Sequence, residues 1–136
     1  MGGTSGAIYA IFLNAVANNL TDQALANPST NLQDLIRTSL QRGLNELFRY
    51  TPARIGHRTL MDALIPFVEA YTEEASFRDA ALEARKGAEG TRWMAAALGR
   101  ASYVGRDRFD EEGGIPDPGA LGVVSILRGA EAVLRN

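Results

Sequence analysis

Asn31-Leu32-Gln33-Asp34-Leu35-Ile36-Arg37-Thr38-Ser39-Leu40, running on through Gln41-Arg42-Gly43-Leu44-Asn45-Glu46-Leu47-Phe48-Arg49-Tyr50, is the stretch that decides the fold class. Leu32, Leu35, Ile36, Leu40, Leu44, Leu47 and Phe48 recur at steps of three and four, the period that gathers side chains on one face of an α-helix. Asn27-Pro28-Ser29-Thr30 breaks the chain ahead of it, and Thr30 or Asn31 supplies the side-chain oxygen that caps the first amides.

Working outward, the same period recurs on both sides. From about Ser5 to Leu20, Ile8, Ile11, Phe12, Ala15 and Val16 fall at helical spacing while Tyr9, Leu13 and Ala17 fill the opposite side. A helix apolar nearly all round has to be buried, so this one is expected to need cover from sequence upstream or from a partner. After the loop Thr51 to His57, a third helix carries Leu60, Leu64, Phe67, Val68 and Tyr71 on one side. Pro66 is expected to kink it, because proline lacks the N–H of an intrahelical bond. The fourth helix, roughly Ser76 to Leu98, presents a stripe of small residues, Ala80, Ala81, Ala84, Ala88, Thr91 and Ala95. Gly87 and Gly90 each weaken a helix by up to roughly 1 kcal/mol against alanine, and close helix packing is the expected compensation. A long polar connection runs from Gly99 to Asp117. The last helix opens at Asp117-Pro118-Gly119, with a cap followed by proline at the first helical position, and is expected to bury Leu121, Val124, Leu127 and Leu134. No strand pattern competes, so the class is all-α, with five to six helices in one domain covering residues 1–136.

Composition narrows the function. The 136 residues are 46% hydrophobic and 22% charged, ordinary for a globular domain. No run of about 18 apolar residues suits a membrane span. A net charge of -2 gives no electrostatic case for nucleic acid or an anionic membrane. Cysteine is absent, which excludes disulfides and thiolate metal sites and suits a cytoplasmic setting.

Three stretches have the makings of a ligand site. Gly2-Gly3-Thr4-Ser5-Gly6 leads into the first helix, where glycines permit close approach and outward N–H groups carry partial positive charge, the parts of a phosphate cradle. Read alone, it is better taken as a flexible end with an N-cap. Arg54, His57, Arg58 and Thr59 offer two guanidinium groups and a hydroxyl to an anion, although read alone they are better taken as a solvated loop; His57, the only histidine, reads as a surface residue. The third is Arg100, Ser102 and Tyr103 with the turn Asp117-Pro118-Gly119, where Asp117 read alone is a helix cap. The acidic runs Glu73-Glu74 and Asp110-Glu111-Glu112 form no compact loop of alternating aspartates able to grip magnesium, and no Walker-type Gly-Lys-Ser/Thr loop occurs.

Taken in order, these segments resemble the C-terminal ATP-binding, DhaL-like domain of dihydroxyacetone (glycerone) kinases. The resemblance rests on Gly2-Gly3-Thr4-Ser5-Gly6-Ala7 with Tyr9, Gly56-His57-Arg58-Thr59-Leu60-Met61-Asp62-Ala63-Leu64, Gly87-Ala88-Glu89-Gly90-Thr91, Gly99-Arg100-Ala101-Ser102-Tyr103-Val104-Gly105 and Pro116-Asp117-Pro118-Gly119-Ala120. It implies an antiparallel helical barrel with nucleotide bound at one end, here incomplete. Thr4, Ser5 and Gly6 would lie on the phosphates of ATP. Thr51, Arg58, Thr59 and Leu60 would line the nucleotide pocket together with Asp117, Pro118 and Gly119. Arg100 would steady phosphate charge. Family domains begin with further helices and an aspartate-rich loop that holds two Mg²⁺ ions, and dihydroxyacetone sits on a separate substrate domain; none of these has a counterpart here. The family pattern has aspartate where His57 stands. The resemblance thus implies a kinase for dihydroxyacetone or a similar short sugar such as glyceraldehyde, with this chain alone inactive and dependent on the missing segments or a partner chain. The competing reading is a non-catalytic remnant that binds nucleotide weakly, or binds a helical partner through its first helix.

Overall fold

The computed structural model describes residues 3–95, 98 and 114–134. Among these the order is α1 (Gly3–Ala26), α2 (Leu32–Leu47), α3 (Met61–Thr72), α4 (Phe77–Gly90), a single 3-10 turn (Thr91–Trp93) and α5 (Pro118–Leu134), with no strand. The all-α expectation holds. The chain divides into two compact units, Met1–Pro52 and Ala53–Asn136.

In the first unit α1 and α2 pack as an antiparallel pair across the short Asn27–Asn31 connection. Asn31 is the cap of α2, its side chain accepting from the Gln33 N–H at 2.9 Å. The seam closes at Gly43, where a Cβ would stand 2.5 Å from Val16 Cγ2 and 3.4 Å from Phe12 Cε2. Glycine is therefore what lets α2 lie this close to α1. The buried residues of α2 are Leu35, Ser39, Gly43, Leu44 and Leu47, whereas Leu32 is exposed. α1 starts earlier and ends later than its apolar run, and only Ile8 and Phe12 of it are buried, with Leu13 59% exposed, so within this chain much of its apolar surface has no cover. One neighbouring helix covers one stripe and no more.

The second unit is built around α3. Beyond the expected Leu64, Phe67, Val68 and Tyr71, its Met61, Asp62, Ala63 and Ile65 are buried too. A turn with Glu74 in the left-handed region (φ 70) reverses the chain into α4, whose cap, Ser76, accepts from the Asp79 N–H at 3.1 Å. Phe67, Tyr71 and Phe77 cluster at this end, with ring centroids 5.4–6.0 Å apart.

The small-residue face of α4 does what its composition implies: Ala80, Ala84, Ala88 and Thr91 are fully buried. At Gly87 a Cβ would lie 1.9 Å from the carbonyl oxygen of Asp62 and 3.3 Å from Pro66 Cγ. That carbonyl belongs to the residue four before Pro66, so Pro66 has no N–H to give it, and the bare Cα of Gly87 takes up position against it, a weak Cα–H···O contact. Pro66 stays within the continuous α3. Gly90 has no such partner, the nearest atom to its Cβ position being Met94 Cε at 4.0 Å.

Two sequence expectations fail here. The fourth helix does not continue to Leu98: α4 stops at Gly90, tightens through the 3-10 turn, and Met94 is extended. Thr91 caps that end through its buried hydroxyl, and Ala95 is exposed. α5, which packs on α3 and α4, buries Ala120, Val123 and Leu127; Leu121 and Leu134 are exposed and Val124 is half-buried. The buried stripe runs through Ala120, a small residue whose position periodicity of large side chains does not register.

Candidate functional site: the junction of α3 and α5

In the second unit the starts of α3 and α5 meet at the end of α4. Gly119 lies against Leu60: a Cβ on it would stand 3.3 Å from Leu60 Cβ, 3.4 Å from Leu60 N and 2.9 Å from Asp117 Oδ2. Two of the segments singled out from sequence, Thr59-Leu60 and Asp117-Pro118-Gly119, are thus neighbours although far apart in the chain.

Each start is held by a carboxylate. Asp62, 1% exposed, accepts from the Gly56 N–H on Oδ1 at 2.6 Å and from the Thr59 N–H on Oδ2 at 2.8 Å, tying the loop into α3. Thr59 Oγ1 accepts from the Met61 N–H at 3.2 Å. Gly56 has φ 93, the left-handed region that glycine enters without strain. Asp117 Oδ2 accepts from the Ala120 N–H at 2.8 Å, the expected cap of α5. The Asp117 N–H itself donates to Thr91 Oγ1 at 2.7 Å, and that hydroxyl donates to Ala88 O at 2.6 Å. One buried hydroxyl therefore joins the end of α4 to the start of α5.

Arg58 turns inward. It is 5% exposed, with φ 56, and its Nη2 donates to Ile115 O at 2.8 Å. Its guanidinium draws in the backbone just before Asp117. Burial pushes the Asp117 carboxyl above the usual carboxylate range, and the nearby negative charge of Asp62 pushes the same way; the Ala120 N–H, the Arg58 charge and the Gly119 N–H pull it back down. His57 is half-buried and not the partnerless surface residue expected from sequence: its Nδ1 accepts from the Arg54 N–H at 3.2 Å.

In the first unit, Thr4, Ser5 and Gly6 fall within the first turn of α1, not ahead of it; Thr4 is exposed, Ser5 and Gly6 are half-buried, and Thr51 is half-buried just beyond α2. A groove of about 770 Å³ in this unit, lined by residues such as Asn14, Asn18, Arg42 and Tyr50, contains none of the expected nucleotide residues. Arg100, with Ser102 and Tyr103, lies outside the described residues.

Residues 1–132 match the DAK2 domain. The chain belongs to the DAK2 domain family. It is 45% identical to a dihydroxyacetone kinase of Komagataella pastoris over 133 residues, 95% of this chain and 22% of that protein. It is also 45% identical to dihydroxyacetone kinase 2 of Saccharomyces cerevisiae over 132 residues, 95% of this chain and 22% of the relative. A triokinase/FMN cyclase of Bos taurus is 33% identical over 144 residues, 100% of this chain and 23% of that protein. The chain thus spans less than a quarter of the length of these relatives.

Within this DAK2 domain, Asp62 and Thr91 hold the junction together, yet sequence reading gave Asp62 no role and made Thr91 a packing residue. Asp62 does stand three residues after Thr59, inside the first turn of a helix, where an acid reaching back to the loop amides was a readable signal. Thr91 bonds across to residue 117, and nothing local marks that. Both Asp62 oxygens and one Asp117 oxygen are engaged by backbone N–H groups, and among the described residues no three His, Asp or Glu side chains gather as metal ligands. The described carboxylates of the DAK2 domain do not fit a magnesium site.

Proposed function

We propose that this chain is the ATP-binding portion of a dihydroxyacetone (glycerone) kinase, passing the terminal phosphate of ATP to dihydroxyacetone or a similar short sugar such as glyceraldehyde held on another part of the protein. The observation that carries the reading is the contact between Leu60 and Gly119, which brings two of the family-matched segments to one end of the second unit. The 45% identity to dihydroxyacetone kinases over 95% of the chain supports it.

In this reading Thr59, Leu60, Asp117, Pro118 and Gly119 of the second unit take the nucleoside, and Thr51 is a nucleotide residue of the first. The first-turn amides of α5 are already turned toward the Asp117 carboxylate, which makes this turn better suited to the hydroxyls and polar edge of a nucleoside than to phosphate. Phosphate charge falls to the start of α1, where Thr4, Ser5 and Gly6 combine hydroxyls with outward amides, and to Arg100. Arg58 serves by holding residue 115, and with it the turn, in place. ATP-dependent transfer in such kinases draws on Mg²⁺ to neutralise phosphate charge; the described residues leave its ligands to other segments, so this chain binds and orients while the missing part completes the site. The setting that suits this chemistry is cytoplasmic, and among the described residues no helix is long and apolar enough to cross a membrane.

Titration calorimetry of the chain with ATP in the presence of Mg²⁺ tests the reading, with Thr4→Val/Ser5→Ala as the paired variant at the exposed helix start. Saturable binding that the pair weakens, and phosphate transfer to dihydroxyacetone once the remaining segments of a dihydroxyacetone kinase are supplied, are expected. Binding without transfer under those conditions would instead support the non-catalytic reading, which is favoured by the carboxylates of the junction being spent on capping.

A further inference from the structure

α4 and α5 run antiparallel, because the hydroxyl of Thr91 joins the end of one to the start of the other. On their outer side a groove of about 400 Å³ is lined by Arg78 and Arg85 from α4 and by Arg128 from α5, over Leu82 and Val124, with Glu131 at its edge. The spacing is regular. Arg78, Leu82 and Arg85 stand at i, i+4 and i+7 on α4, and Val124, Arg128 and Glu131 stand at i, i+4 and i+7 on α5, each triad a single helix face. With the helices antiparallel and Asp117 bonded to Thr91, Arg128 falls alongside the stretch between Arg78 and Arg85, which are roughly 10 Å apart along the axis.

We propose that this groove is a second anion site, built for a small molecule carrying two or more phosphate or carboxylate groups about 5 Å apart. Among the described residues, Arg78, Arg85 and Arg128 make no hydrogen bond or ion pair, whereas Arg49, Lys86 and Arg92 each lie against a glutamate three residues away in the same helical turn. Three guanidinium groups against one carboxylate, in a chain of net charge -2, concentrate positive charge where the chain as a whole has none. Guanidinium forks match phosphate and carboxylate oxygens bidentately, and the largely polar lining of the groove, over an apolar floor of Ala81, Leu82 and Val124, suits such a ligand more than an apolar one. The site is separate from the nucleotide end: along α4 it runs from about 8 to about 18 Å away from Gly90. It does not depend on the nucleotide reading.

Tripolyphosphate is the probe, titrated calorimetrically into the full chain at about 0.15 M salt, with orthophosphate for comparison. Saturable binding of tripolyphosphate at one site, much tighter than that of orthophosphate, is expected. Arg85→Gln and Arg128→Gln should each weaken it by about tenfold. Being at exposed positions, these variants should keep the thermal unfolding transition of the parent. No saturable binding would overturn the proposal. So would undiminished binding in the Arg85→Gln/Arg128→Gln pair, or loss of tripolyphosphate binding in Thr4→Val/Ser5→Ala, which would move the ligand to the start of α1. Binding of a polyglutamate peptide in place of tripolyphosphate would also overturn it, assigning the groove to an acidic protein segment.

Discussion

Two helix pairs in this chain each close on a glycine, and they close differently. In the first unit the Cβ that Gly43 lacks would meet the side chains of Val16 and Phe12; in the second, the one that Gly87 lacks would meet the backbone of Asp62. Side chains change rotamer or can be trimmed, whereas a carbonyl inside a helix moves only with its helix. The helix ends around the second pair are further fixed by polar bonds, Asp62 tying the Gly56 and Thr59 amides to the start of α3, and Thr91 tying the end of α4 to the start of α5. The first is held chiefly by apolar packing along one stripe, with a long side-chain bond from Gln23 Nε2 to the buried Ser39 Oγ at 3.5 Å. A site that depends on fixed backbone geometry is better founded on the second kind of junction, which is where Leu60 and Gly119 meet.

The contrast can be broken most forcefully at Gly87. Gly87→Ala should cost about 3 kcal/mol, the upper part of the range for overpacking, seen as a lowered urea midpoint; a change under about 1 kcal/mol would mean that the backbones are free to separate. Thr91→Val, which keeps the shape and removes the hydroxyl, should cost about 2 kcal/mol because the Asp117 N–H loses its acceptor, and chemical denaturation reads it directly. At the softer junction Gly43→Ala should cost about 1.5 kcal/mol. Combining it with Val16→Ala should recover part of that loss, a coupling that a double-mutant cycle measures; no side-chain substitution offers the same relief at Gly87. Gly90, three residues along from Gly87 but with only Met94 Cε near its Cβ position, at an ordinary 4.0 Å, should behave oppositely, Gly90→Ala adding about 0.5 kcal/mol through helix propensity.

The smallest effect concerns pH. Burial raises the Asp117 carboxyl above its ordinary 3.8, so its contribution to stability is full below that value and is lost as pH rises through the folded-state value. Asp117→Asn keeps a capping oxygen that does not titrate. The stability of the parent relative to this variant should therefore fall as pH climbs from about 3.8, as followed by thermal melts across acid pH; a difference that grows over that range would reverse the assignment.

These same two junctions show what a reader of the sequence has access to. Helix α2 was legible because its stripe is made of large apolar residues and its cap, Asn31, lies next to the break. The cap at Asp117 and the small face of α4 were legible for the same reason: each is a local pattern with a direct physical meaning. The stop at Gly90 was not, because the small-residue stripe continues to Ala95 while the hydroxyl that closes the helix end is drawn to residue 117. The inward turn of Arg58 was hidden as well, since its partner is the carbonyl of Ile115. For α1 periodicity gave the helix correctly, but burial depends on how many neighbours are present, and no pattern internal to a helix counts them. Family resemblance filled part of this gap by pointing to Thr59-Leu60 and Asp117-Gly119 as parts of one pocket, although neither stretch announces the other.

The meeting of Pro66 and Gly87 over one carbonyl has a consequence for how the lineage is free to vary. An imino acid on one helix and a hydrogen in place of a methyl on the other solve a single problem between them, so neither letter carries its meaning alone. Homologues that keep proline at 66 should keep glycine at 87, and a larger residue at 87 should surface chiefly where 66 has regained an amide to draw that oxygen back toward its own helix.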